Sequence, residues 1–98
     1  MDGRLPMHAV VVNVTIADGQ VDQARKSLTE QVVPRVRTAP GFVKGYWTST
    51  ADNRSGLSMV VFKTEQDAKN AAQMVRTTPP PSGVTLGSVD VREVVAEA

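Results

Sequence analysis

The sequence predicts an α+β domain with the element order β-α-β-β-α-β. Three observations carry this prediction. The β-branched run at 10–16 and the alternating stretch at 84–95 predict strands near the two ends of the chain. Residues 42–62 contain two strand-like runs separated by a turn-forming tract, which predicts a central hairpin. Two segments with apolar residues at steps of three and four predict the connecting helices.

The first strand, 10–16, is apolar at nearly every position, so we expect both of its faces to be covered. Asp18 follows it as the expected N-cap of the first helix. The apolar stripe of that helix consists of Val21, Ala24, Leu28, Val32 and Val36. Pro34 lies inside the stripe and has no N–H to donate to the carbonyl of Glu30, so we expect a kink or a restart there. The helix must end by Pro40.

Pro40-Gly41-Phe42 opens the hairpin, because Pro and Gly stop the preceding helix and redirect the backbone. The predicted hairpin strands are 42–49 and 57–62. Thr64 then begins a second helix with a capping box in which Asp67 takes the place of Glu. The apolar face of this helix is made mostly of alanines, so it can lie close to a sheet. A stiff proline-rich loop leads to the last strand, whose charged residues predict a sheet edge.

This order of elements is that of the ferredoxin-like unit, a four-stranded antiparallel sheet with two helices on one face. The helices leave the other face of the sheet uncovered, although it also receives apolar residues. Such a face requires a partner, and a second copy of the chain is the simplest one. We therefore expect a single domain, 1–98, that forms a homodimer through its open sheet face, with residues 1–7 as a flexible N-terminal extension.

The composition excludes several classes of function. Eleven basic and ten acidic residues give a net charge of +1, so no electrostatic argument favours nucleic acid or anionic membranes as partners. The absence of cysteine excludes disulfides, thiolate metal sites and thiol catalysis, and a single histidine, His8, excludes a multi-histidine metal site. The sequence shows neither a signal-peptide core nor a run of about 20 apolar residues for a membrane helix. We expect a cytoplasmic protein.

Short motifs carry a resemblance to known proteins: Pro40-Gly41-Phe42, Gly45-Tyr46-Trp47, the junction 62–68, and a long first helix introduced by Ala17-Asp18-Gly19. With these motifs the chain resembles the dimeric α+β barrel superfamily, and within it the antibiotic biosynthesis monooxygenase-like proteins, over about residues 8–95. The resemblance implies two subunits whose sheets pair face to face into a barrel. Some members of the superfamily are cofactor-free oxygenases of aromatic polyketides, some degrade haem, and many have no known activity.

The haem-degrading members use an Asn on the first strand, a Trp near the end of the third and a His on the second helix. Asn13 is the only counterpart in this sequence, because Phe62 and Lys63 occupy the end of the third strand and no His lies between Thr64 and Thr78. Without that axial ligand we expect no haem chemistry. We also expect no other cofactor and no metal.

The resemblance to the oxygenases predicts a pocket that binds a small hydrophobic, aromatic compound and oxidises it without a cofactor. We predict Asn13 and Trp47 as the catalytic residues, the first orienting a polar group and the second packing against a ring. The other predicted pocket residues are Tyr46, Met59, Phe62 and His8. Because Tyr46 and Trp47 are adjacent on a strand, they face opposite sides, and at most one of them shares a given pocket.

Two alternatives to this function stay open. In the first, the protein is a non-catalytic ligand-binding or structural homodimer, in which Trp47 packs in the sheet or interface and the amide of Asn13 is hydrogen-bonded within the interface. In the second, it is an RNA-binding module, a class that shares this topology. Leu57 and Met59 occupy the positions where that class has base-stacking rings, so the sequence lacks the aromatic side chains with which such a module binds RNA.

Overall fold

A computed structural model describes residues 6–98 of the chain, so the predicted N-terminal extension lies mostly outside the described residues. The strands are β1 (His8–Ile16), β2 (Phe42–Ser49), β3 (Ser55–Phe62) and β4 (Val84–Glu93). The helices are α1 (Val21–Ser27), α2 (Val33–Arg37) and α3 (Glu65–Thr77), and a π-helical segment, Leu28–Val32, joins α1 to α2. The strands form one antiparallel sheet in the order β2-β3-β1-β4. The predicted ferredoxin-like fold is confirmed.

The core lies between the sheet and the helices. Its buried residues are Val10 and Val12 of β1, Val60 and Phe62 of β3, and Ala68 and Ala72 of α3. The two alanines have no exposed surface, so α3 lies close to the sheet, as its alanine-rich face predicts. Phe62 packs edge to face against Phe42, with ring centroids 6.4 Å apart and planes at 78°.

The two helix starts differ in how well the sequence predicts them. At α3, the Oγ1 of Thr64 accepts a hydrogen bond of 3.0 Å from the backbone N–H of Asp67, which confirms the cap. At α1, the predicted cap is wrong, because the helix begins at Val21 and Gln20 precedes it without a side-chain cap. Asp18 instead lies in a turn with Gly19, whose φ of 77° is in the left-handed region, and this turn separates Asp18 from the helix.

Pro34 acts through the segment that precedes it. The backbone N–H of Val33 donates to the carbonyl of Leu28, five residues earlier, which is a π-helical hydrogen bond. An α-helix would require a hydrogen bond from Pro34 to Glu30, and proline has no N–H to donate. Pro34 then lies in the first turn of α2, where no intrahelical donor is needed. The expected kink or restart is therefore a π-helical segment followed by a new α-helix.

The two sides of the sheet differ in their cover. Directly opposed residues of antiparallel strands share a face, so the strand pairing assigns each paired residue to a side. The side without helices, here called the open face, has three rows across β2, β3, β1 and β4: Lys44-Val61-Ala9-Arg92, Tyr46-Met59-Val11-Asp90, and Thr48-Leu57-Asn13-Ser88. Asn13 and Thr15 are exposed on this face. The sequence predicts that both sides of β1 are covered, but a single chain leaves this part of the open face uncovered.

Candidate functional site

The structure divides the six predicted site residues into two groups of three. His8, Trp47 and Phe62 lie on the helix side of the sheet, in register with its other helix-facing residues. Asn13, Tyr46 and Met59 lie on the open face. The sheet therefore separates Asn13 from Trp47, and the two predicted catalytic residues of one chain do not meet in one pocket.

Two of the helix-side residues pack within the domain. Phe62 is 1% exposed and is enclosed by the core, so it has no surface to offer to a ligand. The indole of Trp47 lies over Gly45, where an added Cβ would come within 2.9 Å of its six-membered ring. Because Gly45 has no side chain, the ring can pack directly against the backbone of the sheet at this position.

His8, the third helix-side residue, is buried and held between two segments. Its Nδ1 lies 3.2 Å from the carbonyl of Pro6, and its Nε2 lies 3.7 Å from a carboxylate oxygen of Glu65 at the start of α3. A carbonyl is only an acceptor, so Nδ1 carries the proton in the Pro6 contact. These contacts tie the start of β1 to the start of α3.

The positions of these residues also bear on metal and haem chemistry. Asn13 faces away from α3, so it does not share a pocket with any group bound between α3 and the sheet. Within residues 6–98, no three His, Asp or Glu side chains come together as metal ligands. In the same part of the chain, no helix is long and apolar enough to cross a membrane.

Three exposed large apolar side chains of the sheet lie on the open face. Tyr46, Leu57 and Met59 are between 43% and 56% exposed and come from adjacent positions on β2 and β3. Val11 and Val61, beside them, are only half-buried. A contiguous apolar patch of this kind marks a binding surface in a folded protein.

Asn13 lies at the polar end of the open face. Its Nδ2 donates a hydrogen bond of 2.9 Å to the Oγ of Ser88 on β4. A bulge in β4 between the partners of Val12 and Val14 brings Ser88 to this position, and a Cβ at Gly87 would lie within 2.9 Å of the Asn13 carbonyl oxygen. Sequence analysis missed Ser88, for which an isolated glycine in a strand pattern was the available signal.

A concavity of about 360 Å³ lies at the other end of the open face, beside the C-terminal residues 93–98, and we call it the tail concavity. Its floor is apolar and consists of Ala9, Val11, Met59 and Val61. Lys44, Tyr46 and Arg92 stand at its sides, and residues 93–98 with Met7 complete its wall. This volume is that of a small-ligand site. Sequence analysis missed both cations and the C-terminal residues, because their meeting depends on strand register.

No protein-family model matches the chain, and no curated protein sequence matches it. Solved structures are similar along nearly the whole chain. SnoaB, a cofactor-independent oxygenase from Streptomyces nogalater, is 14% identical, with 96% of each chain covered and a TM-score of 0.60. The heme-degrading protein Rv3592 from Mycobacterium tuberculosis is 18% identical, with 96% of this chain and 98% of that chain covered and a TM-score of 0.64. A dimeric ferredoxin-like protein from an uncultured marine organism is 14% identical, with 96% of this chain and 100% of that chain covered and a TM-score of 0.65.

Identities this low establish the fold and leave the activity to be argued from the site, the more so because the similar proteins differ in their activities. A further similar structure, from Chloroflexus aurantiacus, is provisionally assigned as an antibiotic biosynthesis monooxygenase; it is 14% identical, with 94% of this chain and 96% of that chain covered and a TM-score of 0.60. The resemblance in the sequence motifs is thus confirmed at the level of the fold: the chain has the ferredoxin-like fold of the antibiotic biosynthesis monooxygenase-like proteins.

Proposed function

We propose that this protein is a homodimer that binds a small hydrophobic, aromatic compound and oxidises it with molecular oxygen, without a metal or organic cofactor. The observation that carries the proposal is the open face, which combines exposed apolar side chains, polar groups and a ligand-sized concavity. The fold shared with a cofactor-independent oxygenase and with a dimeric protein supports both parts of the proposal.

The apolar area of the open face supports the proposed dimer. Complete burial of a large apolar side chain contributes about 1.5–3 kcal/mol. Tyr46, Leu57 and Met59 are each roughly half exposed, so these residues from two copies contribute about 6 kcal/mol when covered. Association costs about 4–15 kcal/mol in lost freedom, so the gain from this cluster is comparable to the cost and a stable dimer draws on contacts across the rest of the face as well.

The ligand lies between the two sheets in this proposal. The apolar floor of the tail concavity contacts an aromatic ring system, and the hydroxyl of Tyr46 and the amide of Asn13 are two of the polar groups on the same face. Within residues 6–98 the amide oxygen of Asn13 accepts no hydrogen bond, so it is available to a hydroxyl of the ligand. Asn13, Tyr46 and Met59 thus stay in the proposed site, and Trp47, Phe62 and His8 are assigned to packing on the helix side.

The substrate must supply the electrons in a reaction of this kind. A CH₂ group flanked by aromatic rings becomes a carbonyl, one atom of O₂ enters the product and the other leaves as water with the two hydrogens. A phenolic substrate reacts through its anion, and a hydrogen-bond donor or cation beside the oxygen favours that anion. The protein's part is to bind the anion and exclude water.

The test is a thermal-shift screen with quinols and polyketide-like phenols, followed by oxygen-consumption assays on the compounds that bind. We expect one or more compounds to raise Tm and to consume oxygen. Asn13→Ala should abolish turnover or binding and leave the dimer intact. The matched control is Thr15→Ala, which changes an exposed residue on the same face of β1 and should leave activity unchanged.

A second candidate function is a non-catalytic ligand-binding or structural homodimer. The hydrogen bond from Asn13 to Ser88 favours it, because it satisfies part of the amide without any ligand. Binding without oxygen consumption would support the ligand-binding form of this candidate. No Tm shift with any compound would support the structural form, and unaltered activity in Asn13→Ala would remove that residue from the oxygenase site.

A further inference from the structure

Lys44 reaches the open face through a bulge in β2. Phe42 pairs with Phe62 on the helix side, and strict alternation would place Lys44, two residues later, on that side as well. The register shifts between Phe42 and Lys44, so that Lys44 pairs with Val61 on the open face instead. A bulge of this kind re-aims side chains and is frequent beside functional sites.

The same bulge sets the side of the later residues of β2. It places Tyr46 on the open face, opposite Met59, and Trp47 on the helix side. Without the shift these two aromatic residues would exchange sides. One extra residue in β2 thus delivers both a lysine and a tyrosine to the tail concavity, which the two side chains line.

The charges around the tail concavity leave Lys44 as the cation available to a ligand. Arg92, the other cation at its sides, lies 3.9 Å from a carboxylate oxygen of Asp90. Glu93 and Glu97 also line the concavity, but in the described part of the chain no carboxylate oxygen lies within 4.0 Å of the Lys44 ammonium. A ligand that covers the apolar floor would remove water from this ammonium, which then requires an anion in contact with it.

Resting on the proposed function, we infer that Lys44 binds the oxyanion of the ligand, and that the ligands of this protein are aromatic compounds with an acidic hydroxyl that ionises on binding. The apolar floor receives the ring, and the ammonium forms a charge-assisted hydrogen bond to the oxygen on that ring. The O–H bond ionises, the electron pair stays on the oxygen and the proton leaves to water. A cation within about 4–6 Å lowers the pKa of an acid by about one to three pH units.

The test measures binding of two probes, β-hydroxyanthraquinone, whose colour reports its ionisation, and its methyl ether, which does not ionise. Neither probe has a CH₂ group between its rings, so binding is measured without turnover. The variants of the full chain are Lys44→Met and Lys44→Arg. The matched control is Lys26→Met, which removes an exposed lysine of α1 and changes the net charge equally. Circular dichroism establishes that each variant folds, and absorbance titrations at several pH values give the dissociation constants and the pKa of the bound hydroxyl probe.

The expected result is an effect of Lys44 on the anion alone. The native chain and Lys44→Arg should hold the pKa of the bound hydroxyl probe about one pH unit or more below its value in Lys44→Met. At a pH where this probe is ionised, Lys44→Met should raise its dissociation constant about tenfold or more and leave that of the methyl ether unchanged. Lys26→Met should change neither constant.

Three results would count against these roles. An equal pKa of the bound probe in the native chain and in Lys44→Met overturns the role of Lys44 and leaves the proposed aromatic site standing. Loss of methyl-ether binding in Lys44→Met also overturns it, because the lysine side chain then packs against the ring without binding an anion. A native chain that binds neither probe contradicts the proposed function itself.

Discussion

Gly41, in the motif that opens the hairpin, combines two constraints that one pair of substitutions can separate. Its φ of 78° lies in the left-handed region, and a Cβ there would stand 2.7 Å from Cγ and 2.9 Å from Cβ of Asp67. Gly19 has nearly the same φ, 77°, and an added Cβ would meet nothing within 4 Å. Gly41→Ala thus carries backbone strain and a steric clash, and Gly19→Ala carries the strain alone.

The magnitudes follow from these two contributions. A non-glycine residue in the left-handed region costs about 1–2 kcal/mol. The smaller entropy of the unfolded alanine chain offsets about 0.4–1 kcal/mol of this, so Gly19→Ala should lower the free energy of unfolding by about 1 kcal/mol. Overpacking against Asp67 adds about 1–3 kcal/mol, so Gly41→Ala should cost about 2–4 kcal/mol.

Urea unfolding followed by the fluorescence of the single Trp47 measures both variants, at one protein concentration because the proposed dimer would make stability depend on concentration. In the Asp67→Ala background, Gly41→Ala should lose part of its excess cost, because the carboxylate is gone while the Cβ at 2.9 Å remains. Equal costs for Gly19→Ala and Gly41→Ala in the native background would refute the steric argument and leave only the backbone strain.

Two further predictions concern the core and the hairpin turn. Phe62→Leu should lower the free energy of unfolding by more than about 1 kcal/mol, because it removes the ring that packs edge-on against Phe42; a loss near zero in urea unfolding would mean that Phe62 is not core packing. A hydrogen bond from the Thr50 hydroxyl, with another from the Arg54 backbone N–H, lowers the pKa of Asp52. Because the pKa is lowered in the folded state, the ionised carboxylate stabilises the fold at pH values above its ordinary pKa, and this stabilisation is lost as the pH falls through the lowered pKa. Thr50→Val should therefore raise the pKa of Asp52 in an NMR titration and reduce stability more at pH 7 than in strong acid. An unchanged titration would contradict this reasoning.

The sequence predicts the order of elements because local patterns determine it. The N-cap at Thr64 and the alanine-rich face of α3 depend on residues close in sequence, and the structure has both. The cap at Asp18 fails because a short polar side chain before Gly19 fits a turn as well as an N-cap. The local pattern does not decide between these two roles.

The arrangement of the candidate site is not predictable in the same way. Strand alternation separates Tyr46 from Trp47, but the side to which each belongs depends on pairing with β3. The contact between Asn13 and Ser88 depends on a bulge in β4, which joins residues 75 positions apart. Lys44 and Arg92 lie in one row only because β3 and β1 come between their strands. These are long-range consequences of register.

The solution mass across a dilution series, by light scattering, tests the central claim of an interface on the open face most directly. The native chain and the control variant Met74→Asp, on α3, should both have twice the 10.5 kDa mass of one chain. Met59→Asp should dissociate to the single-chain mass and stay folded, because it places a charge at the centre of the apolar cluster. A native chain with the single-chain mass at every concentration would contradict the claim, and so would a Met59→Asp variant that dimerises as tightly as the native protein.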